Sequence, residues 1–404
     1  MKNYSYGIVA AILTALTPVC FAVTETNQTS QAAKPASSGK PEFLHPGVLV
    51  NRAQLEFVRA NVAAGKEPWT SAFKAAQASI FGALDYTPTP WQTCECGPRS
   101  NPNLGCKDEQ RDSQAAYTQA LLWFITTNKV YAANSIKIMN AWSYTLTGGH
   151  KLANGPVQAA WCAEVWPRAA EIIRYSDAGW QSADIEQFKK MLTTQYVPSI
   201  IGGSCENGNK EISMSEALIN IGVFNDDRAI FDAGVKMWRG RAPALIYLTT
   251  DGDKPVIPVG CDMAIWGNKG YTTKLVDGLL QETCRDPGHA NMALSAMVNA
   301  AETARQQGLD LYAEQGKRIM AALEFQAQFL PPHNAPVPEN LEFTKQPTWE
   351  IAYNHFHNRL GHSLPKIGAV LPTNRPTSVK QHMVWETLTH AEVGNLGLPP
   401  LKKP

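Results

Sequence analysis

The sequence predicts an all-α fold, an incomplete (α/α) barrel or toroid built from helical hairpins. From Asp112 onward, apolar residues recur at helical spacing in segment after segment, and strand alternation is hard to find. Gly, Pro, Asn or Asp occupy the breaks between these segments. Because the loops are too long for a tight bundle, successive antiparallel helix pairs are expected to close into a ring with apolar inner helices.

A leader and a tether are predicted to precede this domain. Residues 1–22 place Lys2 ahead of an apolar stretch that ends at Phe21, which is typical of a secretory signal peptide cleaved near Ala22. That stretch is too short for a membrane span. Residues 23–44 are rich in Ser, Thr, Ala, Lys and Pro, a composition that predicts a disordered tether. We therefore expect one domain over residues 45–404 of a periplasmic or secreted monomer that is not inserted in the membrane after signal cleavage.

Helical spacing marks the hairpins in order. Tyr117 and Phe124 belong to a first helix with Asp112 as the expected N-cap, and Ile138 and Thr145 belong to a second helix. These two helices are expected to form a hairpin. The same spacing predicts six further helices, around residues 165–173, 185–192, 214–221, 231–238, 294–301 and 319–326. The proline-rich segments 255–258 and 331–338 are expected to be loops over one rim.

The charge balance excludes a global attraction to polyanions. Lys and Arg number 36 against 35 Asp and Glu, and removal of Lys2 with the signal takes the formal charge from +1 to 0. The chain therefore lacks an overall basic field for nucleic acid or an anionic membrane, and any polyanion must be bound by a local cluster. No Gly-rich phosphate loop follows a predicted strand, so no nucleotide or other cofactor is expected.

Seven of the eight cysteines remain once Cys20 is removed with the signal. An oxidising compartment permits disulfides, and an odd number leaves at least one thiol outside them. Cys96 and Cys106 bracket a turn-rich loop whose two ends can meet, which makes them the preferred pair. Zinc bound by Cys94, Glu95 and Cys96 is the weaker interpretation, because the C-x-C spacing lacks a second Cys pair or a nearby His. No metal site is predicted.

Three segments carry polar residues that are too dense and too mixed for an ordinary helix surface: Glu206 to Glu216, Gln281 to Asn291 and Trp349 to Arg359. Together with the hairpin from Asp112 to Trp142 and the segment from Trp161 to Arg168, they resemble the alginate-lyase superfamily, most closely polysaccharide lyase family 38. The resemblance extends over most of the chain, from about residue 45 to about residue 375. It implies an (α/α) toroid with an anionic polysaccharide in a cleft or tunnel across it, and cleavage of mannuronan or glucuronan.

Cleavage of a β-1,4-linked polyuronate by β-elimination defines what the site residues must do. The C5 proton lies α to a carboxylate, and it can be removed only when the carboxylate charge is neutralised by hydrogen bonds or a cation. A base must then take this proton and an acid must protonate the O4 leaving group, which suits His and Tyr near neutral pH. The three segments contain each of these residue types.

The resemblance and this chemistry together assign the roles. Asn209 and Arg285 are expected to bind the carboxylate, His289 is the leading base, and Tyr353 is the second proton-transfer group. Typical alginate lyases of the superfamily carry His directly after the Asn pair and Tyr seven residues past the Arg, where this chain has Lys210 and Met292. His289 and Tyr353 are therefore expected to take over these two roles. The predicted substrate-binding residues are Glu282, Lys210, His355, His357, Arg359, Asn207 and Trp161.

Structural roles remain open for the same residues. Arg285 could pair with Glu282 or Asp286, and Asn209 could satisfy a turn before the following helix. Tyr353 lies in register with a stripe of core aromatic residues.

Two other functions also remain open. A catalytically silent polyuronate-binding protein of the same fold is favoured by Lys210 and Met292 at the two altered positions. A toroidal glycoside hydrolase would need two opposed carboxylates, for which Glu216, Glu282 and Glu350 are available.

Overall fold

The computed structural model describes residues 43–258, 260–262, 274–337, 341–344, 346, 349–377 and 379–399. The predicted signal peptide and nearly all of the predicted tether lie outside these residues. Phe43 and Leu44, which the sequence assigns to the end of the tether, contact the helical domain. The ring of Phe43 lies 5.2 Å from that of Phe231, and the backbone N–H of Leu44 donates to Gln307 at 2.8 Å. Within the described residues, every helix is too short or too polar to cross a membrane.

The first half of the domain is a succession of helices joined mostly by short connections. They are α1 (Arg52–Ala63), α2 (Trp69–Ala78), α3 (Cys106–Thr126), α4 (Lys129–Thr145), α5 (Gly155–Ala163), α6 (Trp166–Arg174), α7 (Ser182–Met191) and α8 (Val197–Ile200). Helices α3 and α4 pack against each other across a two-residue connection, which confirms the first predicted hairpin.

The start of α3 differs from the prediction. Helix α3 begins at Cys106, so Asp112 lies within it and is not its N-cap. Asp112 is buried and accepts hydrogen bonds from Tyr86 Oη at 2.8 Å and Trp142 Nε1 at 2.6 Å. The local sequence around Asp112 therefore does not distinguish a buried hydrogen-bond acceptor from a helix N-cap.

The second half continues the pattern. Its helices are α9 (Gly208–Asn225), α10 (Arg228–Leu245), α11 (Pro287–Gln306), α12 (Leu311–Ala327), α13 (Trp349–Tyr353), α14 (Pro365–Asn374) and α15 (Glu386–His390). Turns of π-helix follow α7 at Leu192–Tyr196 and α13 at Asn354–Arg359. The predicted all-α architecture is confirmed.

Two helices, α9 and α11, lie at the centre of the domain. Helix α9 packs against α10, α11, α5 and α6, and every residue from Ile212 to Phe224 is buried. Helix α11 is likewise buried from Ala290 to Gln306. Because such helices meet protein on all sides, their polar residues must find partners inside the domain.

Glu216 of α9 illustrates this requirement. Arg168 of α6 donates to Glu216 at 2.5 Å, and not to Glu164 as an i,i+4 pairing would give. Burial, and then the neighbouring Glu164, raise the pKa of Glu216 to about 8, although Arg168 and His382 act in the opposite direction. The interior around α9 is therefore polar, and Arg168 pairs with Glu216 inside it.

Five short strands form two small sheets among the described residues. Strand β1 (Cys94–Cys96) pairs antiparallel with β2 (Asn103–Leu104) and parallel with β3 (His150–Lys151). A second pair joins β4 (Val379–Lys380) and β5 (Met383–Val384). Strands of two or three residues are too short to show alternation, so the sequence could not predict them.

His45 fastens the first described segment to the helices. Its Nδ1 lies 3.0 Å from Glu171 and its Nε2 lies 2.8 Å from Asp226. Burial acts to lower the pKa of His45, but hydrogen bonds to Asp226 and Glu171 and their charges raise it to about 9. The imidazolium therefore links two helical segments through two carboxylates.

Candidate active site

A cleft of about 550 Å³ lies where the first turns of α3, α9 and α11 approach one another. Asn209 and Lys210 are in the first turn of α9, and His289 is in the first turn of α11. Helix N-termini carry unpaired N–H groups and a partial positive charge, which favour an anionic ligand. The described residues that line the cleft are Cys96, Gly97, Pro98, Arg99, Ser100, Asn103, Cys106, Lys107, Gln110, Asn154, Val157, Gln158, Trp161, Asn207, Asn209, Lys210, Arg285, His289 and Gln381.

Gly208 is closely surrounded where α9 enters the cleft. A Cβ on Gly208 would collide with the side-chain amide of Gln281 and with Leu245. Gln281 belongs to the segment that also carries Glu282 and Arg285. The absence of a side chain at Gly208 therefore lets the two polar segments approach closely.

Glu282 connects two predicted carboxylate-binding residues. Its side chain is 4% exposed and accepts hydrogen bonds from Asn209 Nδ2 and from the guanidinium of Arg285. The backbone N–H of Asn209 also points to this carboxylate at 3.4 Å. Glu282 itself lies behind the cleft and is not among its lining residues, contrary to its predicted contact with substrate. Its place in the structure is to hold Asn209 and Arg285, whose remaining N–H groups are available to a ligand.

His289 is oriented by an aspartate. Its Nδ1 lies 2.5 Å from Asp286 Oδ2, while Asp286 Oδ1 caps α11 by accepting from the N–H of Gly288 at 2.7 Å. Burial acts to raise the pKa of Asp286, but the hydrogen bond and charge of His289 and two backbone N–H groups lower it overall. When Nδ1–H donates to this carboxylate, Nε2 is the proton-accepting nitrogen of a neutral ring.

The charged side chains among the described lining residues of the cleft are cations. Arg99, Lys107, Lys210 and Arg285 are among its described lining residues, and none of these lining residues is Asp or Glu. Lys210 pairs with the exposed Glu206, which lies outside the lining. The arrangement therefore suits a ligand that carries several negative charges.

Two disulfides lie beside the cleft. The predicted bond between Cys96 and Cys106 is confirmed, and both sulfur-bearing residues line the cleft. A second bond joins Cys205 and Cys261, which are 56 residues apart in the sequence. The first closes the loop that forms one wall, and the second ties the segment that leads into α9.

His355 and Arg359 of the third polar segment are not at this cleft. The ring of His355 is buried and stacks on Tyr312 with centroids 3.9 Å apart, and burial lowers its pKa to about 3. Arg359 is buried and pairs with Glu302 at 3.2 Å. Both residues complete a buried polar core instead of contacting a ligand in the cleft.

Tyr353 and His357 are also placed elsewhere. Their rings stack with centroids 4.7 Å apart, and Tyr353 lines a separate pocket of about 170 Å³ together with Arg375. The predicted second proton-transfer group is therefore not beside Asn209 and Arg285. Trp161, Asn207 and Lys210, by contrast, line the cleft as predicted for substrate-binding residues.

The three carboxylates considered for a glycoside hydrolase do not face the cleft. Glu216 is buried against Arg168, and Glu350 is buried and pairs with Arg375 at 2.5 Å. Glu282 is held behind Asn209. A pair of opposed carboxylates across a sugar ring is therefore not formed by these residues.

The zinc alternative at Cys94 and Cys96 does not fit, because Cys96 is in a disulfide. Cys94 instead approaches Glu109 and His150, with one ligand-type atom of each within 4.8 Å of the others. Glu109 already accepts hydrogen bonds from His150 at 2.9 Å and from Tyr196 at 2.5 Å. These contacts describe a buried hydrogen-bonded cluster that supports β1 and β3.

Several lining residues were not predicted from the sequence. Gln158 and Asn154 come from the start of α5, and Gln381 from the turn between β4 and β5. Arg99 and Lys107 lie in and beside the loop that was singled out only for its cysteines. One cation inside a disulfide-closed loop and a second directly after it, in an expected polyanion-binding protein, were the available signal.

Residues 262–335 match the family model described as Alginate lyase. This segment contains Arg285 and His289. The chain is similar to alginate lyases. No curated protein matches the sequence significantly.

Solved structures share the fold. Alginate lyase A1-III from Sphingomonas species A1 is 18% identical, with a TM-score of 0.59, over 87% of this chain and 98% of that protein. An alginate lyase from Bacteroides ovatus is 12% identical, with a TM-score of 0.54, over 86% of this chain and 100% of that protein. The predicted (α/α) toroid is thereby confirmed.

Proposed function

We propose that this protein is a polysaccharide lyase that cleaves a β-1,4-linked polyuronate, polymannuronate or glucuronan, by β-elimination. The observation that carries the proposal is the cleft itself, where an amide, guanidinium and imidazole meet among cations and no carboxylate lines the described surface. The resemblance to polysaccharide lyase family 38 favours the same substrates. The tetrasaccharide complexes of alginate lyase A1-III add support for a saccharide ligand in this fold.

Asn209 and Arg285 bind the carboxylate of the sugar unit that is cleaved. Their hydrogen bonds spread the negative charge that grows on this group as the C5 proton leaves. Because buried Glu282 fixes both donors before substrate arrives, little reorganisation is needed at the moment of reaction.

His289 Nε2 takes the C5 proton. The electron pair of the C5–H bond forms the C4–C5 double bond, and the C4–O4 bond breaks with its electron pair remaining on O4. Lys210, which follows Asn209 in the first turn of α9 and lines the same cleft, gives its proton to O4. The products are a new non-reducing end with a 4,5-unsaturated uronate and a free hydroxyl on the other fragment.

A silent polyuronate-binding protein is the second candidate. Lys210 and Met292 stand where typical relatives carry His and Tyr, and the described cleft lining contains no tyrosine. Such a protein would bind the polymer through the same cations and release no product.

We also propose that the protein acts as a monomer outside the cytoplasm, in the periplasm or after secretion. The predicted signal peptide and the two disulfides support an oxidising compartment.

Absorbance at about 235 nm during incubation with polymannuronate, polyguluronate and glucuronan tests the proposal, because elimination builds a conjugated chromophore. A chelator is present throughout. We expect a rise on polymannuronate or glucuronan that is lost in His289→Ala and strongly reduced in Lys210→Met. Binding of the polymer without any rise in the wild-type protein would favour the silent binding protein.

A further inference from the structure

One wall of the cleft is a closed loop. Eight of the nineteen lining residues lie between Cys96 and Cys106 or directly after it, at Lys107. A single stapled segment thus supplies a large share of the surface that a polymer in the cleft would meet.

Hydrogen bonds and an unusual backbone conformation shape this loop. Gly97 N–H donates to Pro102 at 2.9 Å, and the side chain of Asn154 donates to Gly97 at 2.9 Å. Arg99 and Ser100 both adopt left-handed backbone conformations, with φ of 53° and 58°. Residues other than glycine rarely adopt this region, and such strain is concentrated at functional sites.

The charges on the two walls differ in how they are balanced. On the α9 and α11 side, Lys210 pairs with Glu206 and Arg285 with Glu282. Arg99 and Lys107 are exposed, and neither forms an ion pair with any residue that the structure describes. The surplus positive charge of the cleft therefore comes from the loop.

A polyuronate carries one carboxylate on every sugar unit, so units next to the cleaved one also need cationic partners. We propose that Arg99 and Lys107 bind the carboxylates of these neighbouring units and strengthen binding of the polymer. This inference rests on the proposed function. Under this proposal, Asn209, Arg285 and His289 carry out the elimination, and the loop cations bind the neighbouring sugar units.

The test compares Arg99→Ala, Lys107→Ala and the double variant with Arg111→Ala. Arg111 is the matched control, because it is an exposed cation one turn beyond Lys107 on α3 and does not line the cleft. Steady-state kinetics give KM and kcat on the preferred polyuronate. Calorimetry in the His289→Ala background gives the Kd for the same polymer directly.

Each single substitution is expected to raise KM and Kd about two- to fivefold, and the double variant about tenfold, at low salt. The increase in KM should exceed any fall in kcat, and it should shrink at high salt because exposed charges are screened. Arg111→Ala should match the wild-type protein.

Two outcomes separate this inference from the proposed function. If the double variant binds and cleaves the polymer as Arg111→Ala does, the loop subsite is wrong while the lyase stands. If the wild-type protein binds the polymer without forming an elimination product, and the double variant binds it more weakly, the subsite stands and the lyase is wrong.

Discussion

Glu282→Gln tests whether the carboxylate behind the cleft positions the groups that bind substrate. The change keeps the size of the side chain and one carbonyl oxygen but removes the negative charge. Asn209 and Arg285 would then compete for a single neutral acceptor. We expect the variant to fold, because Arg285 is one-third exposed and water can replace part of its lost partner.

The size of the effect follows from these two contacts. A hydrogen bond to a charged group contributes roughly 1.5–3 kcal/mol, and a neutral acceptor retains about half of that. Weakening both contacts therefore reduces the free energy that positions Asn209 and Arg285 by about 1.5–3 kcal/mol. If this loss is felt in the transition state, where 1.4 kcal/mol is about tenfold, kcat should fall roughly 10- to 140-fold. KM should change by only a few-fold, because the loop cations still bind the polymer.

Glu206→Gln is the matched control. Glu206 is the acidic partner of Lys210 on the same wall, but its side chain is 66% exposed. Exposed pairs contribute about 0–1 kcal/mol, so this variant should lose less than about fivefold in kcat. Initial rates of product formation and circular dichroism are measured for both variants. Equal losses of kcat in Glu282→Gln and Glu206→Gln, with both proteins folded, would refute the positioning role.

Two further predictions concern His289 and His45. Asp286→Asn keeps the cap of α11 but removes the charge that orients His289, so kcat should fall at least about tenfold with an unchanged melting temperature; an unchanged kcat would contradict this role. His45 has its pKa raised to about 9, so its stabilisation is present below about pH 6.5 and lost as the pH rises to 9. The full shift would be roughly 3 kcal/mol, and partial solvent exposure reduces it to about 1–2 kcal/mol. Urea unfolding at pH 6 and pH 9 should therefore show a larger stability loss in wild-type protein than in His45→Gln, and parallel losses would contradict it.

The helical architecture was predictable because long helices repeat their apolar spacing over several turns. The same reasoning misplaced the start of α3, since Asp112 resembles an N-cap but is a buried acceptor for Tyr86 and Trp142. Strands β1 to β5 were missed because two or three residues carry no period. Cys205 and Cys261 gave no local signal, since they are distant in the sequence.

The site was predictable where polar residues crowd the first turn of a helix. Asn209 and His289 lie in such turns, and the structure brings them to one cleft. The third segment was equally polar, but two of its predicted residues lie in the buried interior, where His355 stacks on Tyr312 and Arg359 pairs with Glu302. Polar density alone cannot separate an open site from a buried ion pair, because both need several charged groups close together.

The central claim is that the cleft performs elimination and not hydrolysis or binding alone. Mass spectrometry of oligosaccharides released from polymannuronate or glucuronan tests it most directly, because an elimination product is lighter by one water than the hydrolysis product of equal length. We predict that wild-type protein releases unsaturated oligosaccharides and that His289→Ala releases none. Release of saturated oligosaccharides, or of no oligosaccharide while the polymer is bound, would contradict the account.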